Sequence, residues 1–176
     1  MDARDGSLAR VAVLAQHRAR ELGAAMRSYL VVIDETEEAR AALRYAARRA
    51  ARTGSAVDIL AVVPPQEFVQ WGGVQAAMEE EARLRAEAMG LQAASAIDEE
   101  AGVERNIFVR QGEAVKAITD LLKERSDIAA LVLGAAAEGG PGPLVTHFSG
   151  AVAGTLPCPL VVVPGRLGDE SLDRFA

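Results

Sequence analysis

Two stretches of this chain carry residues able to do chemistry at a bound ligand. The apolar run Tyr29 to Ile33 ends in Asp34, whose carboxylate can accept a hydrogen bond from a ligand amine or hydroxyl. The same position equally suits a turn or capping residue ahead of a helix opened by Thr36. Farther on, Leu131-Val132-Leu133 ends at Gly134. A small, Gly-rich segment follows from Ala135 to Gly142, then a helical stretch from Thr146 to Leu156 and a second apolar run from Leu160 to Val163. That order reads strand, glycine loop, helix, strand. Such a unit places loop N–H groups and a helix N-terminus where an anionic ligand can be held. Taken alone, the loop is equally well a flexible connection.

Other chemistries find little support. The sequence contains no Gly-x-Ser-x-Gly elbow, no Walker lysine and no Gly-x-Gly-x-x-Gly after its first strand. His147 and Ser149 are near neighbours on one helical stretch, so their side chains diverge, and no acidic residue is placed to orient the histidine. Cys158, between Pro157 and Pro159 at the mouth of an apolar strand, has no adjacent cation to lower its pKa and reads as buried and inert. It is the only cysteine, which excludes an intrachain disulfide, and there is no Cys/His cluster of zinc type. A reducing, cytoplasmic compartment is expected. The net charge of -6 gives no long-range attraction to nucleic acid or to an anionic membrane. No window approaches the roughly 20 apolar residues of a membrane span, and the N-terminal stretch, interrupted by acids and arginines, lacks a signal-peptide core.

The elements that must position these residues follow from periodicity. With 176 residues, half of them hydrophobic but only 4% aromatic, the chain suits one domain in which Ala-rich helices pack closely on a Val/Leu-rich sheet. Tyr29 to Ile33 and Val57 to Val63 are continuous apolar runs, as in strands buried on both faces. Between them lies a helix with Thr36 as N-cap, Glu37 and Glu38 in its first turn, an apolar face of Ala39, Ala42, Leu43, Ala46 and Ala50, and Gly54 past its end. Pro64-Pro65 stops regular structure, and the segment to Gly73, with Phe68 and Trp71, is a candidate lid. From Val74 to about Glu100 a charged helical pattern sets Val74, Ala77, Leu84, Ala88, Leu91 and Ile97 on one side, with Glu79, Glu80 and Glu81 solvated. Asn106 to Val109 is a short strand, and Gly112-Glu113 opens a helix through Val115, Ile118, Leu121 and Leu122. Ile128 to Leu133 is the next strand. Every strand but the last precedes a helix, which predicts a doubly wound α/β fold with five parallel strands in three layers. Residues 1–27 form a separate extension with Leu8, Val11, Ala12, Ala15, Ala19, Leu22 and Met26 at helical spacing, and Met26 offers an alternative start.

The combination Leu30-Val31-Val32-Ile33-Asp34, the Ala-rich helix after it, the strand leading to Gly112-Glu113, and Leu131-Val132-Leu133-Gly134 leading through a glycine loop to Pro157-Cys158-Pro159-Leu160-Val161-Val162-Val163-Pro164 resembles the universal stress protein family. The resemblance spans residues 28–165, with 166–176 as a tail. It implies an adenine nucleotide α-hydrolase-like sheet in the order 3-2-1-4-5. It also implies a homodimer joined through the last strand, at Leu160, Val161, Val162 and Val163. Members that bind ATP or AMP resemble one another in an aspartate after the first strand, a hydrophobic position ending the second, and a Gly-x-x-Gly, nine residues, Gly-Ser/Thr motif after the fourth. By that resemblance Asp34 meets the adenine, Val62 or Val63 supplies the second feature and Gly134 opens the motif. Gly139, Gly140, Gly142, Thr146 and Ser149 are then the phosphate contacts, and magnesium is expected only in company with a nucleotide. The motif also departs from the family. Ala137 takes the second glycine's place, Thr146-His147 stands where glycine and a hydroxyl residue belong, and Pro141 and Pro143 remove two N–H donors. The resemblance therefore implies a nucleotide-binding stress-response protein, not an enzyme. The alternatives are a non-nucleotide-binding dimeric interaction module of the same fold and an α-hydrolase-type enzyme for which no residue is placed to act.

Overall fold

Strand-forming runs of Val, Ile and Leu alternate with helical segments along the whole described chain, and their parallel pairing follows from that alternation. The computed structural model describes residues 27–65 and 72–176. The N-terminal extension and the Phe68/Trp71 segment lie outside the described residues. Strands β1 (Ser28–Ile33), β2 (Ala56–Val63), β3 (Arg105–Gln111), β4 (Ile128–Ala135) and β5 (Leu160–Pro164) form one sheet. Its order is β3-β2-β1-β4-β5, as expected, and all four pairings are parallel. Val31 lies level with Ile59 on one side and Val132 on the other, and Leu133 with Val162.

Helices α1 (Glu37–Thr53), α2 (Gly72–Glu100), α3 (Ala114–Glu124), α4 (Pro143–Ser149) and α5 (Asp169–Phe175) cover both faces. On one face, alanines of α1 and α2 pack with Val31, Ile59 and Val132 of the sheet and Leu172 of α5. On the other, Ile118, Leu121 and Leu122 of α3 and Val145 and Phe148 of α4 pack on Leu30, Leu60, Leu131 and Leu133. The strands β1, β2 and β4, which turn side chains into both clusters, are the centre of the core.

The ends of α1 behave as its sequence dictates. The Thr36 hydroxyl accepts the Ala39 N–H at 3.2 Å, and Gly54 closes the helix at φ 64 with its N–H on the Ala50 carbonyl. Two readings are corrected. The apolar side assigned to α2 from Ala77, Leu84, Ala88 and Leu91 faces away from the sheet, with Leu84 and Leu91 exposed at 52% and 63%. The packed side is instead Ala82, Ala86, Met89, Ala93 and Ile97. Size decides this: α2 lies so close to the sheet that a Cβ on Gly90 would stand 2.6 Å from the Ile107 side chain, so small residues make the contact and leucines do not fit. The second correction concerns the stretch from Thr146 to Leu156. The helix there starts earlier, at Pro143, and ends at Ser149, where Gly150 intervenes before a 3₁₀ turn at Ala153–Thr155. Proline at the first helical position lacks only an N–H that would go unused.

The tail after Gly165 is ordered on α1. Leu172 is fully buried, Arg48 reaches Asp169 and Asp173, and Arg52 donates to the Ala176 carbonyl at 2.6 Å.

Candidate functional site

Asp34 leaves β1 at the carboxyl end of the sheet, between β2 and β4, where chain connections diverge to opposite faces. Its Oδ1 accepts both the Thr36 N–H at 2.9 Å and the Thr36 hydroxyl at 2.5 Å, which fixes the carboxylate's orientation. Oδ2 has no protein partner among the described residues. The capping reading and the ligand reading of Asp34 are thus compatible, because one oxygen serves each.

Asp34 borders three hollows, two of which lie at the ends of the strands. The first, about 450 Å³, runs from Asp34 along the ends of β1 and β2 to α2 and is lined by Val62, Val63, Pro64, Met78, Ala82 and Met89. Its charged rim comprises Glu35, Glu81 and Arg85, and Arg85 donates to Glu35 at 2.6 Å. Hydrogen bonding to Glu35 raises the Arg85 pKa, so the guanidinium is charged at every accessible pH. This volume and apolar lining suit a planar heteroaromatic group. The second hollow, about 110 Å³, lies between β1, β4 and the glycine loop and touches Thr36, Glu38, Gly134, Pro141, Gly142 and Leu144. A further hollow of about 550 Å³ separates α1 from α2, between Asp34 and Gln92. It leads away from the glycine loop.

The residues singled out from sequence divide accordingly. Asp34, Val62 and Val63 line the larger hollow, and Asp34, Gly134 and Gly142 the smaller. Gly139 and Gly140 are exposed at positive φ and border neither. The Thr146 hydroxyl donates to the Gly142 carbonyl at 2.8 Å and the Ser149 hydroxyl to the Val145 carbonyl at 2.7 Å, so both are engaged within α4. Of the edge-strand residues, Val163 is buried in its own core and Val162 is the exposed one, at 39%. His147 packs edge-on against Phe148, and Cys158 is half-buried, with burial pushing its thiol pKa up.

Sequence reasoning missed Glu38, Met78, Met89 and Arg85. Glu38 had been absorbed into helix capping, yet α1 brings its first turn against β4 so closely that a Cβ on Gly134 would collide with the Glu38 carbonyl oxygen. The signal was the glycine itself, placed where a buried strand passes a helix N-terminus. Met78 and Met89 stand eleven residues apart on α2, a spacing of three helical turns that keeps both toward one cavity.

Comparison with known proteins agrees with this architecture. No curated protein sequence matches the chain. Among solved structures, the universal stress protein UspA from Lactobacillus plantarum superposes with a TM-score of 0.65 at 20% identity, over 78% of this chain and 97% of that one. A universal stress protein in complex with cAMP gives 0.55 at 16% identity over 80% and 98%. The Archaeoglobus fulgidus universal stress protein in complex with dAMP gives 0.54 at 20% over 78% and 97%. The model of the universal stress protein family matches residues 26–164, from just before β1 to the last residue of β5. With the sheet order, the aspartate after β1 and the glycine near the end of β4 all in place, the chain belongs to the universal stress protein family.

Proposed function

We propose that this chain is an adenine-nucleotide-binding stress-response protein that carries out no catalysis of its own, with ATP or AMP seated at the carboxyl ends of β1, β2 and β4. The observation that carries the reading is Asp34: one carboxylate oxygen is held by Thr36, the other is left beside an apolar cavity of about 450 Å³ ending at Val62 and Val63. An adenine amino group donates to that oxygen while its ring lies among Val62, Val63 and Met89. Two relatives of the same fold were solved with cAMP and dAMP, which supports an adenine ligand here. Among the described residues no group of three His, Cys, Asp or Glu is arranged to hold a metal ion, so magnesium enters only as the partner of a bound triphosphate. No helix among the described residues is long and apolar enough to cross a membrane. The test is thermal unfolding with millimolar AMP or ATP. A rise in Tm that Asp34→Ala abolishes supports the reading, and no rise with either nucleotide ends it.

The same proposal includes a homodimer through β5. The two sheet edges differ: β3 flanks its exposed Ile107 with Arg105, Asn106, Arg110 and Gln111, whereas β5 presents Leu160, Val161 and the exposed Val162 with no charged neighbour in the strand. Charged and polar residues discourage edge pairing, and an apolar β-branched edge invites it. Val162→Asp is expected to yield monomers by light scattering; a dimer that persists places the interface elsewhere. A second reading, a dimeric interaction module that binds no nucleotide, is favoured by one observation. The hydroxyls of Thr146 and Ser149 are spent on helix carbonyls instead of facing a ligand. Native mass spectrometry separates the two readings, because it reports retained nucleotide and subunit number together.

A further inference from the structure

We infer that this site is selective for the uncharged nucleoside end of its ligand and discriminates against phosphate, so that affinity falls from adenosine to AMP to ATP. The inference rests on the adenine-binding reading above and concerns the smaller hollow, where phosphates would have to lie. That hollow is bordered by two carboxylates, Asp34 and the half-buried Glu38. The cations around Asp34 are already engaged, Arg85 with Glu35 and Arg40 with Glu37. From Ser126 to Gly165 the chain contains no lysine or arginine, and Arg166, just beyond, is paired with Glu138.

The backbone compensates only in part, through the N–H groups of Gly142, Leu144 and Val145 at the start of a helix of seven residues. Of the N–H groups a glycine loop would offer, two are removed by Pro141 and Pro143, both of which border the hollow. The Thr146 N–H is bonded to the Gly142 carbonyl, and Gly139 and Gly140 are turned out to solvent. The positive end of α1 also opens beside the hollow, but Glu37 and Glu38 occupy its first turn and Thr36 already caps the Ala39 N–H. A phosphate placed there meets like charge in a confined, partly desolvated space, where Coulomb interactions are several-fold stronger than in bulk water. Adenosine meets none of this, since its hydroxyls can donate to the same carboxylates that repel a phosphate.

The experiment is calorimetric titration of the full-length protein with adenosine, AMP and ATP at low salt, in parallel with Glu38→Gln. Adenosine is expected to bind at least tenfold more tightly than AMP, and AMP more tightly than ATP. Glu38→Gln, which removes the charge but keeps a carbonyl acceptor for a ribose hydroxyl, is expected to narrow the first gap several-fold through tighter AMP binding. AMP or ATP binding as tightly as adenosine, with the order indifferent to Glu38→Gln, overturns the charge discrimination and leaves the adenine site standing. Absence of binding by all three ligands removes the adenine reading itself and this inference with it. Because Glu38→Gln keeps side-chain size at the turn of α1 that packs on β4, circular dichroism and Tm of the variant report whether the fold is intact.

Discussion

Asp34 and Asp58 stand on adjacent strands at opposite ends of the sheet, and they are used in opposite ways. Asp58 is fully buried at the amino ends. Its Oδ2 accepts the Ser28 hydroxyl at 2.6 Å and faces Arg125 at 3.3 Å, while Oδ1 accepts the Asn106 amide at 2.8 Å. Arg125 is in turn held by Asp127 through two bonds of 2.7 and 2.5 Å and sits 5.6 Å over the Phe108 ring. Both carboxylate oxygens of Asp58 face protein partners. Asp34 is exposed, engages one residue with one oxygen and leaves the other free beside a cavity. The difference teaches how to tell a carboxylate that ties strands together from one that waits for a ligand: burial with full satisfaction marks the first, partial satisfaction at a cavity the second.

The largest effect that can break this comparison is Asp58→Ala. It leaves the buried Ser28 hydroxyl without its acceptor and takes one partner from Asn106 and from Arg125, which keeps Asp127; an unsatisfied buried group costs about 1–3 kcal/mol and a lost hydrogen bond to a charged group about 1.5–3 kcal/mol. Urea unfolding should show that loss, with Asp58→Asn less affected because it keeps one acceptor. A change below about 1 kcal/mol would mean that β1, β2 and β3 are not bound together here. Gly134→Ala comes next, at the other end. Its methyl would collide with the Glu38 carbonyl, and overpacking of this kind costs about 1–3 kcal/mol. Because the displaced element is the first turn of α1, adenosine binding should weaken in the same variant. By contrast, Gly139, at φ 74 with open space around it, pays only the local left-handed penalty when changed to alanine.

These two ends were unequally legible in the sequence. Strand positions and the capping of α1 came through because continuous apolar runs, Thr36 and Gly54 each have one physical reading; the order of the strands came only from the family resemblance. The bottom cluster did not. Asp58 sits inside an apolar run and looks like a blemish in a strand until Ser28, Asn106 and Arg125, each distant in sequence, converge on it. The site was half legible. Asp34, Val62, Val63, Gly134 and Gly142 could be placed because strand ends announce themselves, whereas Glu38, Met78 and Met89 depend on how closely α1 and α2 approach the sheet. Periodicity misled at α2 for the same reason: Leu84 and Leu91 outweigh Ala86 and Ala93 in hydrophobicity, but only the alanines fit.

A smaller effect separates the two ends by pH. Hydrogen bonding from Arg125 holds the Asp127 carboxyl below its ordinary value, against a partial opposition from burial. A carboxylate whose folded pKa is depressed adds stability that is fully present above its unfolded value of about 3.9 and is lost as pH falls through the folded one. Unfolding free energy measured between pH 6 and pH 3 should therefore drop less steeply in Asp127→Asn than in the parent protein. Parallel curves for the two would show that the Arg125 contact contributes nothing net to stability.

The smallest change in stability is expected at the residue that matters most for binding. Asp34→Ala removes bonds to the Thr36 N–H and hydroxyl at an exposed position, where water replaces them and the net loss stays within about 1 kcal/mol. Thr36 keeps its own cap on Ala39, so α1 retains its start. The same substitution should nevertheless erase the ligand-induced rise in Tm, since it deletes the acceptor assigned to the adenine amino group at the strand ends. Near-parental unfolding midpoints together with a lost ligand shift would set Asp34 apart from Asp58 as cleanly as one residue type allows. If Asp34→Ala unfolds as readily as Asp58→Ala, the carboxylate at the top of the sheet is structural after all, and the ligand must be held by groups other than Asp34.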